Sequence, residues 1–157
     1  QGRDFIRDVR RVLGETGMEA HHLELEITES SLMEIGPNVI QTLDELRSYG
    51  VSLAIDDFGT GYSSLGYLKQ LPVDRLKIDR SFVMDIPRDK NDEAIVKAVL
   101  SLGDSMQLEV IAEGVETEGQ QQFLREHGCR LVQGYLFSRP MGHAEFGEYL
   151  RDFASDV

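Results

Sequence analysis

A chain of 157 residues, 41% of them hydrophobic, is long enough for one domain with a buried core and too apolar to be disordered. Its 16 basic and 28 acidic residues give a net charge of −12, a surface that on average repels DNA, RNA and anionic membranes. No apolar run reaches the roughly 20 residues that cross a bilayer, no signal-type pattern is present, and the single Cys129 has no partner for an internal disulfide.

In chain order, hydrophobic periodicity predicts a helix over Arg3–Glu15, a strand over Leu23–Thr28 and a helix over Pro37–Tyr49. A strand over Val51–Asp57, a helix over Ser63–Gln70 and a strand over Arg75–Asp79 follow. The remainder reads as helix Asp92–Met106, strand Leu108–Glu113, helix Glu118–His127, strand Arg130–Tyr135 and helix Ala144–Phe153. Val39, Ile40, Leu43 and Leu46 mark one face of their helix. Gly50 and Gly128 fall where left-handed helix caps are expected. Strands alternating with helices predict parallel βα units in an α/β fold. No linker divides residues 1–157, which read as one domain.

Polar residues recur at one end of these strands. Glu26 and Glu29 lie at or after the first strand end, Asp56 and Asp57 at the second, and Lys77 and Asp79 at the third. Glu113 and Glu116 close the fourth, and Gln133 lies in the fifth. Ligands bind at the carboxyl ends of strands in barrels and open α/β sheets, so the recurrence predicts a single site. At its centre, Asp56 and Asp57 run into a loop carrying Gly59 and Gly61. Adjacent carboxylates resist joint ionisation unless a cation, a shared proton or a basic side chain offsets them. His21 and His22 precede a strand, where an extended backbone points adjacent side chains apart, and no metal role is expected of them.

Five βα units do not close an eight-stranded barrel, which takes about 250 residues. The expectation is an open sheet, or a barrel whose early strands lie outside this chain. An opening Gln1-Gly-Arg-Asp4 without methionine fits a piece of a longer protein.

Leu25-Glu-Ile-Thr-Glu-Ser30, Asp56-Asp-Phe-Gly-Thr-Gly-Tyr-Ser-Ser-Leu65, Leu76-Lys-Ile-Asp79, Ile111-Ala-Glu-Gly-Val-Glu116 and Gln133-Gly-Tyr135 together resemble the successive motifs of the EAL domain. The resemblance spans essentially the whole chain. It implies a TIM-like (β/α)8 barrel, present here as about five βα units, and hydrolysis of cyclic di-GMP to linear pGpG. The Glu-Ala-Leu signature and the asparagine of the next strand, both metal-ligand positions of the family, do not occur in this sequence.

The resemblance also implies roles. Glu26 and Asp56 would bind one ion, and Asp56 would bridge to a second held by Asp57 and Glu113. Lys77 would position the attacking water, and Gln133 and Asp79 would support the ligand shell. Glu29 would anchor the Asp57–Ser64 loop. An oxygen-rich set without histidine or cysteine favours two Mg²⁺ or Mn²⁺ ions, which shield the phosphodiester and activate water. Implied partners are cyclic di-GMP, a second copy of the chain as a homodimer, and upstream sensory or GGDEF-type domains, with no nucleic-acid polymer. The implied location is cytoplasmic, in a parent protein that a membrane could anchor. The alternatives are an EAL-type module that binds the nucleotide or a protein without turnover, and an unrelated lyase using Lys77 as a Schiff base.

Overall fold

The computed structural model describes residues 2–61 and 65–155. Helix α1 (Gly2–Thr16) and a 3-10 turn (Ala20–His22) precede β1 (Glu24–Thr28). A second 3-10 segment (Glu29–Glu34), α2 (Pro37–Ser48), β2 (Ser52–Phe58) and α3 (Leu65–Leu68) follow. Then come β3 (Arg75–Ile78), α4 (Arg80–Val83), α5 (Lys90–Met106), β4 (Glu109–Glu113), α6 (Glu118–Glu126), β5 (Leu131–Gln133) and α7 (His143–Ser155). The strands form one parallel sheet in the order β1-β2-β3-β4-β5. Sequential parallel neighbours joined by helical crossovers are the curved wall of a barrel-type fold.

Register explains why the two faces differ. Ile55 pairs with Ile27 and Leu76, Leu76 with Val110, and Ala112 with Ile78 and Val132. Side chains alternate along a strand, so these apolar residues share one face. Leu43, Val96, Val99, Phe123 and Leu124 from α2, α5 and α6 complete that core. Leu53, Ile55, Leu76 and Ile78 are fully buried, each stabilising the fold by about 1.5–3 kcal/mol relative to exposure. A second cluster around Ile6, Leu13, Leu46 and Val51 docks α1 and α2 near the amino end of the sheet. The opposite face carries Glu24, Glu26, Asp56, Arg75, Lys77, Glu109 and Glu113. A polar interior face needs its own charge balance.

Gly50 and Gly128 have φ of +103° and +88° just beyond α2 and α6, as their positions predict. Several boundaries differ from the sequence reading. Helix α5 begins at Lys90 because Asp89 accepts from the backbone N–H of Asn91 and Asp92, a cap two residues earlier than the apolar period indicates. Helix α4 and both 3-10 segments are too short to show a period. Strand β5 ends at Gln133, with Tyr135 in the loop beyond. Ser63 and Ser64, in the expected Ser63–Gln70 helix and the Asp57–Ser64 loop, lie outside the described residues; Leu65–Leu68 is helical.

Candidate active site at the strand ends

Lys77 sits at the centre of the polar face. Its side chain is buried, and its ammonium lies 2.5 Å from Glu26 Oε1, 2.7 Å from Glu113 Oε1 and 3.2 Å from Asp56 Oδ1. Burial alone would lower its pKa. The carboxylates of Glu113, Glu26 and Asp56 around the ammonium outweigh that and hold it above its ordinary value. Lys77 is therefore a permanent ammonium, able to donate hydrogen bonds and unable to act as an amine nucleophile or a base. The Schiff-base alternative does not survive this environment.

Asp56 and Asp57 are consecutive, yet both serve this face because β2 is irregular. Its pairing with β3 shifts between Ile55 and Phe58, and Asp57 adopts φ +56°. A bulge of this kind re-aims side chains that regular alternation would send apart. Asp57 has its pKa raised by desolvation, then by the charges of Asp56 and Asp79, and it shares a hydrogen bond with Asp79. For Asp79, burial acts upward. Hydrogen bonds from the Ser81 hydroxyl and from the backbone N–H of Ser81 and Arg80 prevail and hold it below the ordinary carboxylate value. Asp79 is thus the N-cap of α4 as well as a neighbour of Asp57.

Glu29 is buried beside the same loop. Its Oε2 accepts from Gly59 N at 2.8 Å and from Gly61 N at 3.0 Å. Only Gly59 of this pair has a positive φ, of +104°. Gly61 matters for a different reason: a Cβ there would stand 3.2 Å from the Glu29 carboxylate and press on the anchor.

Gln133 pairs in register with Glu113. Both line a cavity of about 170 Å³ with Arg80, Glu116 and Tyr135. The structure thus brings Glu26, Asp56 and Glu113 each into contact with Lys77, sets Asp57 and Asp79 beside them, and places Gln133 at the edge. Glu29 stands one layer out, against the loop. A separate cavity of about 520 Å³, lined by Lys97, Asp104, Glu109 and His127, lies at the amino ends of β4 and β5, away from this cluster.

Two groups were not anticipated. Arg75, two residues before Lys77, joins Glu24 at 2.5 Å and Glu109 at 2.7 Å, a second charge layer beneath the first. The period-2 pattern Arg75-Leu-Lys77 carries that signal. Gln120 is buried and hydrogen-bonded into the loop after β4; the capping-box spacing Thr117-x-x-Gln120 marks it. The histidine pair needs correction. Ala20–His22 is a 3-10 turn rather than extended chain, so the His21 and His22 rings lie 3.9 Å apart, and ligand atoms of Glu19, His21 and His22 fall within 4.8 Å of one another. All three are exposed, at the amino end of β1.

The donor set at the strand ends suits a hard divalent cation. One ammonium touches three carboxylates while Asp57 and Asp79 add further negative charge. Asp56 Oδ1 is buried without an aligned hydrogen-bond donor, the Lys77 contact supplying charge rather than a directed bond. The Lys77 ammonium offsets its charge, and the bonding capacity left undirected is what a divalent cation would use. Glu26, Asp56, Asp57 and Glu113 offer only oxygen ligands, the preference of Mg²⁺ and Mn²⁺.

Comparison with known proteins bears on this geometry. The cyclic di-GMP phosphodiesterase NbdA of Pseudomonas aeruginosa is 52% identical over 153 residues, covering 98% of this chain and 20% of that protein. The chain therefore spans about a fifth of that relative's length. A solved structure described as "PaMucR Phosphodiesterase, c-di-GMP complex" superposes with a TM-score of 0.85 at 47% identity, over 90% of this chain and 57% of its own. The Klebsiella pneumoniae BlrP1 complex with manganese and cy-diGMP superposes with a TM-score of 0.80 at 36% identity, over 87% and 35%. The family described as "EAL domain" matches residues 1–140, and the chain belongs to it.

Proposed function

We propose that the strand-end cluster belongs to a phosphodiesterase that opens cyclic di-GMP to linear pGpG, with two Mg²⁺ or Mn²⁺ ions. The observation that carries this reading is the convergence of Glu26, Asp56 and Glu113 on Lys77, with Asp56 Oδ1 left without a directed partner. The names of relatives such as NbdA and the manganese-containing BlrP1 complex support the substrate and the class of ion.

Glu26 and Asp56 would hold one ion, and Asp56, Asp57 and Glu113 the other. When bound, the ions supply charge to offset the phosphodiester and acidify water. Lys77 contributes as an ammonium. With the carboxylates engaged elsewhere, its donors would be free to orient a water or a phosphoryl oxygen. Gln133 borders the cavity from β5, and Asp79 fixes α4 and restrains Asp57. Glu29 holds the loop after β2 through the two glycine amides. That loop is also the surface through which a second copy would pair. In a longer protein, sensory or GGDEF-type domains would sit upstream, and the location would be the cytoplasm. No described helix is long and apolar enough to cross a membrane.

The β1 and β5 edges carry no further strand among the described residues. The second reading is nucleotide binding without turnover. Incubating the full-length protein with cyclic di-GMP and Mg²⁺ or Mn²⁺, and resolving products by chromatography, separates the two. Linear product that disappears with a chelator supports hydrolysis. Saturable binding with no product supports the binding module, and neither outcome would overturn both.

A further inference from the structure

Beyond the carboxylates themselves, one buried amide ties together two segments that carry them. Gln120 lies in the first turn of α6, and its side-chain amide makes three hydrogen bonds. Its Oε1 accepts from Glu116 N at 2.8 Å and Thr117 N at 2.9 Å, and its Nε2 donates to Met84 O at 3.0 Å. The first two bonds fix the loop Gly114–Thr117, which leaves β4 directly after Glu113. The third reaches the residue that ends α4, the helix capped by Asp79. These segments are far apart in sequence and otherwise joined by packing too close for a side chain. Gly114, at φ +72°, would place a Cβ 2.5 Å from Arg80 Cβ.

We propose that Gln120 is a positioning residue, which clamps the loop after β4 to α4 and so sets Glu113 and Asp79 relative to Lys77 for cation binding. Gln is suited to this task because one planar amide supplies two acceptor sites and a donor in fixed relation. Glutamate at this position would keep the acceptors and lose the donor to Met84 O. Methionine would fill similar volume and lose all three bonds. The local role, the capping box that opens α6, has two halves: Thr117 Oγ1 accepts from Gln120 N at 3.3 Å, and Gln120 Oε1 accepts from Thr117 N; Thr117→Ala removes the first half and leaves the bond to Met84 O in place. The proposal rests on the phosphodiesterase reading for its consequence in turnover, but the clamp itself does not.

The experiment compares wild type, Gln120→Met, Gln120→Glu and Thr117→Ala. Mn²⁺ affinity is read by titration calorimetry, and backbone amide exchange is read residue by residue. Outer-sphere partners of metal ligands typically contribute 10–100-fold in affinity, so Gln120→Met is expected to weaken Mn²⁺ roughly tenfold. Exchange should quicken together at Glu116, Thr117, Phe82 and Met84. Gln120→Glu should restore protection at Glu116 and Thr117 but not at Phe82 and Met84. Thr117→Ala should leave Mn²⁺ affinity at the wild-type value. Equal effects of Thr117→Ala and Gln120→Met, or faster exchange confined to α6, would reduce Gln120 to a helix cap and overturn the proposal. A full-length wild-type protein that binds no Mn²⁺ would instead sink the two-ion reading, and the paired exchange at α4 and the loop would still decide the clamp.

Discussion

Glu29 receives the backbone N–H of Gly59 and of Gly61 on the same carboxylate oxygen, at 2.8 and 3.0 Å, across about thirty residues of chain. A charged acceptor shared by two loop amides decides whether that loop has one shape. Hydrogen bonds to charged groups contribute roughly 1.5–3 kcal/mol. Glu29→Ala is expected to preserve the sheet while loosening the loop, so that the Mg²⁺ concentration for half-maximal turnover rises and excess Mg²⁺ partly restores the rate. A metal titration of turnover reads this. Unchanged Mg²⁺ dependence at full activity would reduce Glu29 to a structural acid.

Lys77 offsets three carboxylates, so removing its charge should strain the fold as well as the chemistry. Lys77→Met is expected to destabilise the chain by about 3 kcal/mol, the low end for a broken buried pair, because Glu26 remains half exposed. Added Mg²⁺ should recover part of this by meeting the same carboxylates. Thermal unfolding with and without Mg²⁺ tests both statements. A Lys77→Met protein as stable as wild type in the absence of divalent ions would mean that the carboxylates do not need its charge.

The pH dependence follows from the direction of the same shift. The folded-state pKa of Lys77 lies above its unfolded value. Its contribution to stability is therefore fully present below about pH 10.4 and is lost only as pH rises through the higher folded value. Unfolding free energy measured from pH 7 to 10 should show no loss attributable to Lys77. A decline over that range in wild type that is absent in Lys77→Met would contradict the permanent ammonium.

Two glycines give opposite expectations. Gly119, in the first turn of α6, has open space around its Cβ position, so Gly119→Ala should stabilise the chain by about 0.5–1 kcal/mol. Gly134 has backbone of Val115 in the same position. Gly134→Ala should cost at least ~1–3 kcal/mol, the overpacking range, and disturb the loop that carries Glu116. Chemical denaturation of both variants checks the contrast, and equal stabilities would contradict the close approach of β5 to that loop.

The parallel βα order was legible because long amphipathic helices and β-branched runs carry their own periodicity. The polar strand ends were legible because Lys77, Asp56 and Glu113 interrupt runs that are otherwise apolar. Two kinds of feature were not. Helix α4 has only four residues, set by the Asp79 cap rather than by a repeat. The turn of Asp57 to the polar face depends on a backbone angle of +56° that an aspartate does not announce. The Gln120 contacts were half legible: its spacing from Thr117 marks a capping box, but the bond to Met84 O is tertiary and has no local signature.

In the proposed function, the Asp56 carboxylate would join two cations to one reaction. Asp56→Asn keeps the shape of the side chain and removes its charge, so the sheet and the Lys77 environment should persist. Turnover of cyclic di-GMP by the full-length protein at saturating Mg²⁺, followed by chromatography of linear pGpG, measures the consequence. A fall beyond the ~100-fold typical at most of an outer-sphere partner is expected, because a direct ligand is lost. Turnover by Asp56→Asn within a few-fold of wild type would contradict it.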